Sequence, residues 1–64
     1  MKKFYPGKNL YHHERFEYNS QVYEVFGQFI LIRRAVEYKR RIGGKIFETL
    51  EFWGKYYVVK KVRK

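Results

Sequence analysis

Residues 28–44 read QFILIRRAVEYKRRIGG, and whether they form a strand or a helix decides the fold. The strand reading starts from the turns. Gly43-Gly44 suits a two-residue turn that needs positive φ twice, and Gly54-Lys55 one that needs it first. With both turns in place, three strands align over roughly 29–42, 45–53 and 56–63. Lys39 then faces Glu48, and Glu48 faces Lys61. Each pair of that plus-minus-plus row is worth roughly 0.2–1 kcal/mol. The helix reading starts from spacing. Leu31, Ala35, Tyr38 and Ile42 recur at helical intervals, with Gly43 as a cap. Residues 45–53 place Ile46, Leu50 and Trp53 likewise. The richness in β-branched and aromatic residues, and the hairpin-like spacing of the turns, favour strands.

Toward the N-terminus the strand pattern is clearer. Asn19-Ser20 separates Glu14–Tyr18 from Gln21–Phe26. A two-residue turn there sets Arg15 opposite Glu24 and Phe16 opposite Tyr23. One face then carries Phe16, Tyr18, Tyr23 and Val25, and the other Arg15, Glu17, Val22 and Glu24, so the register sorts apolar from charged. Phe-x-Tyr, a short turn, then Tyr-x-Val resembles the opening hairpin of SH3-like barrels, a likeness of architecture rather than family. The expected fold is all-β or mostly β: a small five-stranded twisted meander, partly closed as an SH3-like or OB-like barrel. The alternative is α+β with a helix over about 28–42. Residues 1–13, with Pro6, Gly7 and Asn9, read as a basic aromatic arm pinned by Phe4, Tyr5, Leu10 and Tyr11. Residues 14–64 read as one small β domain.

Sixty-four residues bury only roughly 60% of their unfolded surface, so such a domain needs help. Without cysteine there is no disulfide or thiolate metal site. The help must come from seven Tyr, six Phe and one Trp, or from self-association. The chain has no Asp, few amide side chains and many charges, which suits a hot-adapted protein. No apolar run reaches the roughly 18–20 residues of a membrane span, and no signal peptide is evident. The expected compartment is the cytoplasm, of a cell or a virus-infected host.

Charge is concentrated in the second half. Residues 33–64 carry eleven Lys or Arg against three Glu, a net +8 of the chain's formal +9. Tyr38, Phe47, Phe52, Trp53, Tyr56 and Tyr57 are interleaved with them. Cations among flat rings suit a polyanion that also offers flat rings. In the strand register Lys39, Arg40, Arg41 and Lys45 crowd a hairpin tip that enters a groove or tracks phosphates. Arg33 and Arg34 point to opposite faces, one meeting Glu51. Lys61 and Arg63 add charge at the end of the chain. Phe52 and Tyr57 lie opposite each other on the charged face, as stacking or wedging rings. Trp53 is assigned to the core.

His12-His13 carries no metal reading. Two neighbours on an extended chain point apart, and no Cys or Asp supports them. No nucleophile constellation and no phosphate-binding glycine loop is present. The expected role is therefore non-enzymatic and cofactor-free: binding of nucleic acid, duplex DNA favoured and recognised mainly by phosphate and shape, with DNA favoured over RNA, in a chromatin-like or viral or plasmid accessory setting. The expected sites are Arg33, Lys39, Arg40, Arg41, Lys45, Phe52, Tyr57, Lys61 and Arg63. The chain is read as a monomer or small homo-oligomer with neither a membrane nor a small-molecule partner. The alternative is a protein-interaction module whose basic face docks on an acidic partner or on the ribosome.

Overall fold

The computed structural model describes residues 2–4, 9–49 and 56–62. They form five strands and one helix: β1 (Lys2–Phe4), β2 (Arg15–Tyr18), β3 (Gln21–Phe29), α1 (Ile32–Ile42), β4 (Lys45–Thr49) and β5 (Tyr56–Lys61). The strands make one mixed sheet in the order β1-β4-β5-β3-β2, curled into a half-barrel. β1 runs parallel to β4, and the other neighbours are antiparallel. The fold is mostly β, as the sequence implies. Among the described residues, no helix is long and apolar enough to cross a membrane.

The β2–β3 hairpin has the expected register, with Arg15 opposite Glu24 and Phe16 opposite Tyr23. Asn19 and Ser20 both take positive φ, 51° and 63°. That is the pattern of a type I′ turn, whose twist matches that of the flanking strands. Further along β3, Val25 pairs with Val59 and Gly27 with Val58, so Phe26 is an extra residue in a bulge. The bulge shifts the alternation of β3. It lets Gln28 share the sheet face of Tyr23 and Val25 and reach Tyr57.

The concave face is filled by rings. Phe47 is fully buried and meets Phe4, Phe16, Tyr18 and Tyr23 at centroid distances of 5.3, 5.5, 5.2 and 5.0 Å. Phe4 stacks on Phe16 at 4.9 Å. Such ring pairs add roughly 0.5–1.5 kcal/mol each beyond their burial, which is how a chain this short holds a core. Leu10 is buried in the same cluster, whereas Tyr11 stays exposed. Two of the four expected N-terminal pins, Phe4 and Leu10, therefore hold. Tyr5 lies outside the described residues.

The strand expected over 29–42 is instead the helix α1, the alternative reading. Ala35 is buried and Val36, Tyr38 and Ile42 are half-buried, an apolar stripe at helical spacing. The Tyr38 ring packs on Phe29 at 5.4 Å. Amphipathic burial has overridden the β propensity of the individual residues. Gly43 is the helix C-cap rather than half of a hairpin turn. Its φ of 80° and ψ of −173° fit glycine, and its N–H donates to the Lys39 carbonyl oxygen.

The Lys39–Glu48–Lys61 row is accordingly not formed. Lys39 is on α1, Glu48 pairs with Tyr56, and Lys61 pairs with Tyr23. In the observed β4–β5 register Phe47 faces Tyr57 and Ile46 faces Val58. The turn at Gly54-Lys55, and with it Glu51, Phe52, Trp53 and Arg63, lies outside the described residues.

Candidate nucleic-acid interface

The helix carries the densest exposed charge. Arg33, Arg34, Lys39, Arg40 and Arg41 are all exposed, with Glu37 the one acid on α1. Arg33 and Arg40 lie seven residues apart on the crest facing away from Ala35 and Ile42. Arg34 and Arg41 flank that crest on one side, and Lys39 on the other. An α-helix of this length spans roughly 16 Å. None of the five cations forms an ion pair among the described residues.

The two ends of the helix treat their cations differently. Lys39, Arg40 and Arg41 occupy the last turn, where the helix dipole favours positive charge. Arg33 and Arg34 occupy the first turn, where it opposes positive charge. That turn holds no acid, and Leu31 at the N-cap position makes no side-chain capping bond. Arg33 and Arg34 are both on the helix surface, so neither reaches a core position as the strand register required. An open groove of about 650 Å³ runs between Leu31, Ile32, Arg33, Arg34 and Glu37.

The remaining expected residues are dispersed. Lys45 is exposed at the start of β4, not at a hairpin tip. Lys61 is exposed at the end of β5, beside Tyr23 on the sheet face opposite α1. Tyr57 is the clearest correction. Expected as an exposed stacking ring, it is fully buried. Its hydroxyl accepts from the Leu10 N–H at 3.3 Å and from Gln28 Nε2 at 3.2 Å, and donates to Asn9 Oδ1 at 3.1 Å. Burial pushes its phenol above the usual value of 10.0. Its role is to hold the segment around Asn9 and Leu10 against the sheet.

A second cluster escaped the sequence. His12 and His13 do not point apart: their rings stack at a centroid distance of 3.8 Å. The cause is a tight turn. The Glu14 N–H donates to the Tyr11 carbonyl oxygen, and His13 takes a φ of 73°. Both rings meet Phe26 edge-on, at 6.2 and 6.0 Å, and Lys60 Nζ lies 5.5 Å from the Phe26 centroid. His13 Nδ1 is 2.7 Å from Glu24 Oε2, and Arg15 Nε is 3.6 Å from Glu24 Oε1. The hydrogen bond with His13 is the main reason the Glu24 carboxyl sits below its ordinary value of 4.5. Only the Arg15–Glu24 proximity was readable from register. Among the described residues no group of three or more His, Cys, Asp or Glu is placed to hold a metal.

Comparison with protein-family models, curated proteins and solved structures finds no match to this chain.

Proposed function

We propose that the protein binds duplex DNA, chiefly through its phosphates, with α1 as the contact surface. The observation that carries this reading is the set of five exposed cations on the crest and flanks of one short helix, none paired with an acid among the described residues. A duplex carries one negative charge per roughly 1.7 Å of axis, so cations spread over about 12 Å of helix meet several phosphates at once. Lys45 and Lys61 contribute to the field that attracts the duplex rather than to the same contact line. Contacts of this type position a protein without reading sequence. The proposal extends, on size and charge alone, to a non-catalytic chromatin-like or viral or plasmid accessory role in the cytoplasm of a cell or infected host.

The test is a set of gel shifts with matched double- and single-stranded DNA and RNA at several salt concentrations. Duplex DNA should bind most tightly. With about five phosphate contacts, log K should fall against log salt with a slope of about −4 to −5. Absence of duplex binding at low salt would refute the proposal. Equal retention on heparin, with no preference among nucleic acids, would point instead to an acidic protein partner.

A further inference from the structure

We infer that Ile30, Leu31 and Ile32 form an apolar wedge that enters the minor groove of duplex DNA at a base step, with Arg33 and Arg34 on the adjoining phosphates. This inference rests on the duplex-binding reading above. Its starting point is exposure. Ile30, Leu31 and Ile32 are 65%, 61% and 42% exposed. The same chain buries Leu10, Val25, Val58 and Val59 almost completely. Ile30 and Leu31 therefore project from the short connection between β3 and α1, and Ile32 from the first position of the helix. They are held on one side by a sheet strand and on the other by a helix.

Leu31 also occupies the N-cap position, where Ser, Thr, Asp or Asn would stabilise the helix. Leaving a leucine there, followed by two arginines and no acid, runs against local helix preferences. Departures of this kind concentrate at functional sites.

Charge selects the occupant. A second copy seated on this patch by a twofold axis would bring two Arg33–Arg34 pairs together, in a chain of formal charge +9. An anionic bilayer would satisfy the arginines. It would need an apolar face along α1 to lie in the bilayer surface, however, and the stripe of Ala35, Tyr38 and Ile42 is packed on the sheet instead. A duplex fits both parts. Minor-groove binders insert aliphatic side chains between base steps while basic groups hold the flanking backbone. The groove beside Leu31, lined by Ile32, Arg33, Arg34 and Glu37, gives one backbone strand a place to lie.

The experiment measures DNA bending and unstacking separately from affinity. A duplex labelled at both ends for energy transfer, with 2-aminopurine at internal steps, is titrated with the full chain and with an Ile30→Ser/Leu31→Ser variant. Serine at position 31 supplies a good N-cap, so the variant should melt no lower than the parent. The parent should kink the duplex by roughly 20–90° and raise 2-aminopurine fluorescence. The variant should keep the parent's salt slope and lose both signals. If the parent binds the duplex without bending it, or the variant bends it equally, the wedge is refuted while the duplex reading stands. If the parent does not bind duplex at all, both fall. Flotation with phosphatidylserine vesicles, or a dimer in sedimentation, that needs Ile30 and Leu31 while DNA bending is absent would reassign the patch and overturn the wedge.

Discussion

The Tyr57 hydroxyl donates to Asn9 Oδ1 at 3.1 Å, joining positions 48 residues apart. Gln28 Nε2 completes the triangle, 2.6 Å from Asn9 Oδ1 and 3.2 Å from the phenol oxygen. Tyr57→Phe keeps the ring but leaves the Leu10 N–H without its acceptor. The variant should lose about 1–3 kcal/mol, the usual cost of stranding a buried polar group, measured by thermal or urea unfolding. Sign fixes the pH dependence. The folded-state phenol is raised above 10.0, so its contribution is intact below that value. It is lost as pH rises through the folded pKa, because the unfolded chain ionises first. The parent should therefore weaken above pH 10 more steeply than Tyr57→Phe.

The helix end offers a contrast between two adjacent glycines. Gly43→Ala places a Cβ in open space and costs only the strain of its backbone conformation, about 1–3 kcal/mol. At Gly44, with φ of 104°, a Cβ would also collide with the Val59 carbonyl oxygen. Gly44→Ala should therefore be worse than Gly43→Ala by roughly 1–3 kcal/mol more. Equal melting temperatures for the two variants would contradict the geometry of this connection.

Ser20 holds a left-handed conformation that glycine adopts without penalty. Relief of roughly 1–2 kcal/mol of strain, set against a glycine entropy cost of roughly 0.5–1, leaves Ser20→Gly more stable by about 0.5–1 kcal/mol. A lower melting temperature would show that the hairpin turn differs from the type I′ form.

Charge changes at the two ends of α1 should separate binding from stability. Arg40→Ala with Arg41→Ala removes cations that the helix dipole favours, costing about 0.3–1 kcal/mol each. Arg33→Ala with Arg34→Ala removes cations that it opposes, so stability should rise by a similar amount. If α1 contacts phosphates, both double variants should weaken duplex binding and flatten the salt slope by about 2. Loss of binding only with loss of stability would mean that the cations serve the fold alone.

Glu24 should report acidification. Its folded-state carboxyl lies below 4.5, held there mainly by the His13 hydrogen bond, so its contribution is present above that pH. The contribution is lost as pH falls through the depressed value. The melting-temperature gap between the parent and Glu24→Gln should close on acidification below pH 4.5. A gap that widens would place the partner elsewhere.

The β2–β3 hairpin was legible because its evidence is local: a two-residue turn, and a pattern that puts Phe16, Tyr18, Tyr23 and Val25 on one face. β5 was not legible. Tyr57 and Val59 line the ring core while Val58 faces the other way, and all three are fully buried. A strand covered on both faces has no alternation from which to read its orientation. Alternation alone therefore puts Tyr57 on the wrong side. In α1 both periods were present, and tertiary packing of Ala35 and Tyr38 decided between them. The abundance of cations was plain in the sequence. Their collection on one helix surface depended on that decision, and the His12–His13 stack depended on a positive φ that no residue type announces.

β1 pairs with β4, the strand on the far side of α1 in the chain, and Phe4 stacks on Phe16. β1 therefore depends on a strand more than forty residues further along the chain. The segment Lys2–Phe4 leaves the ribosome before its partner at Phe47–Thr49 exists, and it must wait, apolar ring included, until β4 is made. Until then the β2–β3 hairpin lacks the ring that covers Phe16, and once β4 forms its outer edge stays open to pairing with another chain. β1 thus covers an edge of β4 that would otherwise be open to another copy, and its own three residues leave only a short outer edge in its place.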